Sequence, residues 1–335
     1  MNNKEAIEIA RYINKYLNGY IHYNKSSSEC TLKSYKVSLK LFLEYLETIN
    51  IKPETLNYEC FNTKNINDWL IYLKDVRNNT NQTINLRLSS LKIFLEFLGK
   101  QDISRLNIHT EACTIPRRKT PKIKVRGISK NAIQTLFNTI NQNSKTGRKD
   151  LTMFVLMYNT AARLDEILSL KLKDLKLDVN EPYISIVGKG NKLRCLYLLP
   201  KTVEHLKKYI KENHSYSHDN DYLFYSKIKG KQTKLTEQSV EKQLRKWAVI
   251  ANKTLSEIPI NLHPHQLRHS AATHWLDDGM NIVQISYLLG HENLQTTMIY
   301  LEITVAQKAK ALEIVDNAEN KKAWTSKINK LTDLC

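Results

Sequence analysis

Leu32, Tyr35, Leu39, Phe42 and Leu46 recur at spacings of three and four, the stripe of an amphipathic helix that buries one face. Ile84, Leu88, Leu91, Leu95 and Leu98 form a clearer stripe, with Thr80 or Asn81 as its N-cap and Gly99 at its end. Ile66, Leu70 and Leu73 predict a shorter helix, and residues 5–23 a first one. Residues 1–108 therefore read as a small all-helical domain. The pattern then breaks. Pro116 and Pro121 flank Arg117, Arg118 and Lys119, with Lys122 and Lys124 beyond, so 109–126 reads as an extended basic linker. It is either an ordinary solvated loop or a strap along phosphates.

A second domain, 127–318, mixes periods. Helices are predicted near 129–142, 150–160, 201–212, 236–251, 265–278, 281–289 and 305–318. Residues 183–187 and 193–198 are β-rich runs, separated by Gly188-Lys189-Gly190-Asn191-Lys192, the turn of a hairpin. Residues 319–335 read as a lysine-rich tail. With nine glycines and seven prolines in 335 residues, the chain reads as mainly α with a small antiparallel β-sheet, an α+β class.

Charge narrows the partner. The chain carries 51 Lys+Arg against 33 Asp+Glu, a formal charge of +18, and a field of that sign draws a polyanion. DNA is the natural one. The five cysteines (Cys30, Cys60, Cys113, Cys195, Cys335) form no C-x-x-C pair, so neither a disulfide framework nor a zinc ribbon is expected. That fits a reducing cytoplasm. The N-terminus carries no apolar signal-peptide region, and no apolar run approaches the roughly 20 residues of a membrane span.

Phosphodiester cleavage needs a nucleophile, cations on the non-bridging oxygens, and a proton for the leaving oxygen. Arg163 and Arg268 each sit in an apolar helical setting, and a guanidinium fork matches phosphate at two points. The plainer reading of Arg163 is an ion pair with Glu166 one turn away. Lys189, at the hairpin tip, is either a solvated turn residue or a general acid, with Lys192 and Arg194 as rivals. His263, His265, His269, His274 and His291 invite a metal reading. In His265-Gln266-Leu267-Arg268-His269, however, Gln266 stands where a zinc hydrolase has its catalytic glutamate, and Arg268 would set a cation beside the metal; no metal is expected. Tyr300 is one of 17 tyrosines and draws meaning only from its position after His291.

Taken together, these places resemble the catalytic set of the tyrosine recombinases, the family of phage integrases, Cre and Xer-type proteins. The resemblance rests on Arg163 with Glu166, Lys189 in Gly-Lys-Gly-Asn-Lys, His265 to Arg268, Leu289-Gly290-His291, and Tyr300 at the family's spacing. It spans essentially the whole chain. One departure is Ala161-Ala162, where the family often has a glycine ahead of the arginine. With nothing before residue 5 to form an arm-binding domain, the simpler architecture is expected. The resemblance implies a helical, SAM-like core-binding domain followed by a tyrosine-recombinase catalytic domain. It implies that Tyr300 attacks the scissile phosphate, that Arg163 and Arg268 hold it, and that Lys189 is the general acid. It further implies that His265 assists proton transfer, His291 bonds the phosphate and Glu166 supports the site, with no cofactor.

It implies double-stranded recombination sites as partner, clasped between the domains, and a homotetramer on DNA whose exchange passes through a Holliday junction. Val305, Ala309, Leu312 and Val315 would dock the post-tyrosine segment either on its own domain or on a neighbouring protomer. Arg87, Ser90, Arg117, Arg118, Lys119, Lys242 and Arg245 are plausible DNA contacts. The setting would be a prokaryotic nucleoid or a mobile element; accessory proteins are unknown. Two other readings stay open: a non-catalytic DNA-binding relative, and a type IB topoisomerase.

Overall fold

The computed structural model describes residues 3–21, 29–121, 127–188, 192–228 and 230–298. The chain divides into two units, Met1–Ile123 and Lys124–Cys335.

The first unit is helical. Helix α1 (Asn3–Lys15) runs into a π-helical turn at Tyr16–Tyr20, and α2 (Glu29–Thr48), α3 (Thr63–Asp75), α4 (Asn81–Gln101) and α5 (Leu106–Thr114) follow. Side chains start α3 and α4 where helical N–H groups lack partners. Asn62 accepts from the Asn65 amide, and Thr80 from the Thr83 amide. The apolar stripes face one core, in which Phe42, Trp69, Ile84, Phe94 and Leu95 are fully enclosed. Phe42 meets Trp69 edge to face at 5.2 Å between centroids.

The segment expected to be an extended linker begins instead as helix, because α5 continues to Thr114. It stops one residue short of Pro116, and Ile115 is extended, as a residue before proline must be. From there the chain is laced along one face of α4. The Lys92 ammonium donates to Ile115 O (2.8 Å), and Arg117 donates to Ser89 Oγ (3.1 Å). Asn85 accepts from the Arg118 amide (2.8 Å) and donates to the Arg118 carbonyl (2.9 Å), while Asn81 donates to Lys119 O (2.8 Å). Two expected surface contacts need correction. Ser90 is buried, its hydroxyl donating to Leu86 O at 2.9 Å. Arg87 turns onto α2, donating to Ser34 O and Ser38 Oγ at 3.3 and 3.1 Å. Both lie on the packed side of α4, because the apolar stripe that buries the helix leaves only the opposite flank to solvent.

The second unit opens with α6 (Lys130–Thr139), α7 (Lys145–Thr160) and the short α8 (Leu164–Leu168). Strands β1 (Leu175–Lys176), β2 (Tyr183–Val187) and β3 (Leu193–Tyr197) form an antiparallel sheet in that order, with Ile184 opposite Leu196 and Val187 opposite Leu193. Helix α9 (Pro200–Asn213) precedes a separate hairpin, β4 (Tyr225–Ile228) with β5 (Lys231–Lys234). Helices α10 (Glu237–Asn252), α11 (Pro264–Asp277) and α12 (Ile282–Leu289) follow. The main core gathers Phe154, Leu206, Phe224, Leu244 and Leu267. A smaller cluster of Ala161, Ala271, Ala272, Ile285 and Leu289 joins the end of α7 to α11 and α12. Its small side chains let the three backbones approach closely.

The fold is thus mainly helical with a small antiparallel sheet, as the periodicities predict. Besides α5, three elements escaped the reading of the pattern. Helix α8 is too short to show a period, β1 has two residues, and the β4–β5 hairpin carries the polar run Lys231-Gln-Thr-Lys. No helix among the described residues is long and apolar enough to cross a membrane. The segment 305–318 with Val305, Ala309, Leu312 and Val315, and the tail beyond it, lie outside the described residues.

Candidate active site

Helix α7 ends in an unusual way. Ala161 caps it with φ 47° and ψ 24°, the left-handed region that a β-carbon disfavours. This is the first of the two alanines that stand where glycine was expected. The turn aims the Ala161 carbonyl at α11, where Arg268 Nη1 donates to it at 2.6 Å. Arg268 Nη2 donates to Leu289 O at 2.8 Å and lies 3.2 Å from His291 Nε2. Arg268 is only 3% exposed. A guanidinium at that depth is costly unless bonded, and the ends of α7 and α12 supply carbonyls for it.

The proton on His291 can be placed from its partners. A guanidinium only donates, so Nε2 accepts from Arg268. The proton is then on Nδ1, which donates to Thr297 Oγ1 at 2.8 Å. Burial, and then the cations Arg268, Arg163 and Arg194, push the pKa of His291 down to about 4. His265 lies on the first turn of α11, and partial desolvation and the charges of Arg268 and Arg163 lower its pKa as well. His269 packs edge to face on His265 at 4.5 Å and is likewise pushed down to about 4, by burial first and then by His265, Arg268 and His291. The three imidazoles are neutral at pH 7. Gln266 caps its own helix, its side-chain oxygen accepting from the His263 amide at 2.9 Å.

Arg163 opens α8. Its amide donates to Glu166 Oε2 at 2.7 Å and its Nη1 to Glu166 Oε1 at 3.2 Å. The expected ion pair is therefore present, yet the Arg163 side chain stays 41% exposed while Glu166 is 7% exposed. Burial by itself would raise the Glu166 pKa. The fork from Arg194, then the amide and charge of Arg163, hold it below the usual carboxylate range.

The structure thus brings Arg163, Glu166, His265, Arg268 and His291 into one neighbourhood. Lys189 and Tyr300 lie outside the described residues. Of the rivals to Lys189, Arg194 is committed to Glu166 at 2.8–3.1 Å. Lys192 is exposed and pairs with Glu292 at 3.0 Å. On α10, Lys242 and Arg245 are exposed, as are Arg117 and Lys119 in the first unit; Arg118 is half-buried. Sequence reasoning missed Thr297 and the carbonyl of Ala161. Thr297 sits three positions before Tyr300 and is fully buried, a placement that no periodicity marks.

Two guanidinium groups, one buried and one half-exposed, with neutral imidazoles in the same neighbourhood, are a donor set that suits a tetrahedral anion. Comparison with known proteins places the chain. Residues 126–307 match the phage integrase family, and residues 13–102 match the phage integrase N-terminal SAM-like domain. The tyrosine recombinase XerC of Staphylococcus epidermidis is 31% identical over 291 residues, 85% of this chain and 90% of its own. Two solved structures share the fold. The XerH site-specific recombinase bound to palindromic difH substrate has a TM-score of 0.68 at 20% identity, covering 94% of this chain and 90% of its own. The Tn1549 transposon integrase in complex with transposon right end DNA has a TM-score of 0.68 at 17% identity, covering 92% of this chain and 99% of its own. The chain belongs to the phage integrase family, the tyrosine recombinases.

Proposed function

We propose that this protein is a site-specific recombinase that breaks and rejoins duplex DNA through a 3′-phosphotyrosine. Tyr300 attacks the scissile phosphorus. The P–O5′ bond breaks as the P–O(Tyr300) bond forms, and a free 5′-hydroxyl is left. The tyrosine proton passes to His265, which is neutral at pH 7 and so able to accept it. Lys189 protonates the departing O5′. Arg163 and Arg268 hold the non-bridging oxygens. His291 offers Nε2 to the same phosphate once it is protonated there, a change that a nearby anion favours. One ester replaces another, so the bond energy is kept and the 5′-hydroxyl of a partner strand can reverse the step.

The observation that carries this reading is the convergence of Arg163, His265, Arg268 and His291, from three separate stretches of the chain, around the buried Arg268. A DNA-binding module without chemistry has no use for a buried arginine beside imidazoles kept neutral. Four protomers on two sites, a Holliday junction, and a post-tyrosine segment reaching a neighbour complete the proposal, with a prokaryotic nucleoid or mobile element as the setting. Arg117, Arg118, Lys119, Lys242 and Arg245 serve as phosphate contacts in it, so binding should fall with salt by roughly one log–log unit per phosphate contacted.

A nicked suicide duplex tests the chemistry. Wild type forms a covalent protein–DNA adduct, in EDTA as in buffer. Tyr300→Phe binds the same site and forms none. An adduct at wild-type yield from Tyr300→Phe overturns the assignment of the nucleophile, and loss of the adduct in EDTA overturns the metal-free mechanism.

A further inference from the structure

We propose that Arg194 is a positioning residue of this reaction: it neutralises Glu166 so that Arg163 stays available to phosphate, and it seats the backbone that leads into His291. The proposal rests on the phosphate-holding roles given to Arg163 and His291 above.

Arg194 lies on β3 with its side chain 9% exposed. Its fork engages Glu166 at both oxygens, Nη1 to Oε1 at 3.1 Å and Nη2 to Oε2 at 2.8 Å. The same two oxygens take the Arg163 amide at 2.7 Å and Arg163 Nη1 at 3.2 Å. The carboxylate is thus shared by two guanidinium groups, and the trio carries a net charge of +1. Without Arg194 the sum is zero. Among the described residues, Glu166 would then have Arg163 as its one cationic partner and would draw that guanidinium inward, in direct competition with a phosphate oxygen.

A second contact links Arg194 to two more parts of the site. A β-carbon on Gly188 or on Gly290 would lie 2.7 Å from Arg194 Nη1, and one on Gly290 also 2.8 Å from its Cζ. The fork to Glu166 keeps the guanidinium from stepping aside, so both positions need glycine. Gly188 leads into Lys189, and Gly290 leads into His291. Gly290 also ends α12 at φ 64°, where glycine is at ease. The cost of the arrangement is visible: Arg194 Nε is buried with no hydrogen-bond partner among the described residues. A buried ion pair is weak grounds for stability, and a buried donor left unmade counts against it. Packing alone is better served by an apolar side chain at 194.

Single-turnover cleavage of a nicked suicide duplex at saturating protein separates the chemical step from binding. Arg194→Met should bind DNA within about threefold of wild type and cleave about 10- to 100-fold more slowly, the scale seen when a group that orients a metal ligand is removed. Its rate should gain a limb that rises toward acid pH, because protonating the uncompensated Glu166 carboxylate releases Arg163 to phosphate. The double variant Glu166→Gln/Arg194→Met should cleave faster than Arg194→Met and lose that limb, since the uncompensated carboxylate is gone. Arg194→Lys retains the cation without the fork and should be slowed less; it carries the test if the methionine variant does not fold. Cleavage by Arg194→Met within twofold of wild type overturns the proposal, and so does a double variant whose loss equals the product of the two single losses. A wild-type protein that forms no adduct overturns the recombinase reading instead.

Discussion

Ala161 shows how one residue shapes this site. Its left-handed backbone turns a carbonyl onto Arg268, and its methyl is wholly buried in the small cluster between α7, α11 and α12. Alanine bears the position because its side chain is small. A β-branched residue meets both the backbone strain and a closed wall. Ala161→Val should therefore cost about 2–4 kcal/mol in urea unfolding. It should also slow cleavage at saturating DNA, because the Arg268 acceptor is displaced. Stability within about 0.5 kcal/mol of wild type would show that the turn can relax. His291 makes the same point from a different side: its tautomer follows from Arg268 on one nitrogen and Thr297 on the other.

Among the elements, α4 does two jobs on two faces. Ile84, Leu88, Leu91, Leu95 and Leu98 bury one of them, as their spacing predicts. Asn81, Asn85, Ser89 and Lys92 recur at nearly the same period and lace the departing chain from Ile115 to Lys119. Asn85 both accepts from and donates to the backbone of Arg118, as a strand neighbour would. Asn85→Ala should lower stability by about 1–2 kcal/mol, the worth of two hydrogen bonds to a part-buried backbone. It should also increase proteolysis after Arg117 and Arg118. An unchanged digestion pattern would show that the lacing does not hold this segment. A polar helical stripe is legible in the sequence as a solvated face. That this one binds its own chain is a tertiary fact.

For the whole molecule, the histidines set the acid response. His269 and His291 have folded pKa values of about 4 against an ordinary 6.5. Between those values the unfolded chain binds protons that the folded chain does not, so stability rises with pH across the window and is lost as pH falls from about 6.5 toward 4. His205, His214, His265 and His274 are lowered in the same direction and steepen the fall. Asp150 has the opposite sign. Burial raises its pKa, and one oxygen accepts from Trp247 Nε1 at 2.9 Å. Its contribution is present at low pH and fades as pH rises through its folded value. Urea unfolding from pH 4 to 8 should therefore show a net rise with pH, made steeper by Asp150→Asn. A flat or falling curve over pH 4 to 6.5 would show that the imidazoles are not held neutral.

The sequence by itself determined the class of fold, the helices long enough to repeat a stripe, and the residue types that meet at the site. Periodicity reports which face of an element is buried, and Arg163, His265, Arg268 and His291 sit in segments whose order alone resembles a family. The uses to which these side chains are put were decided only in three dimensions. Arg194, read along the chain as a rival proton donor, is locked onto Glu166. Ser90, which had looked like a surface contact, is buried in its own helix, and the first part of the basic linker is helical until proline stops it. Each of these outcomes depends on a partner far away in sequence or on the buried side of an element. Local pattern records spacing, whereas the partner of a polar group is set by which backbones the core brings together.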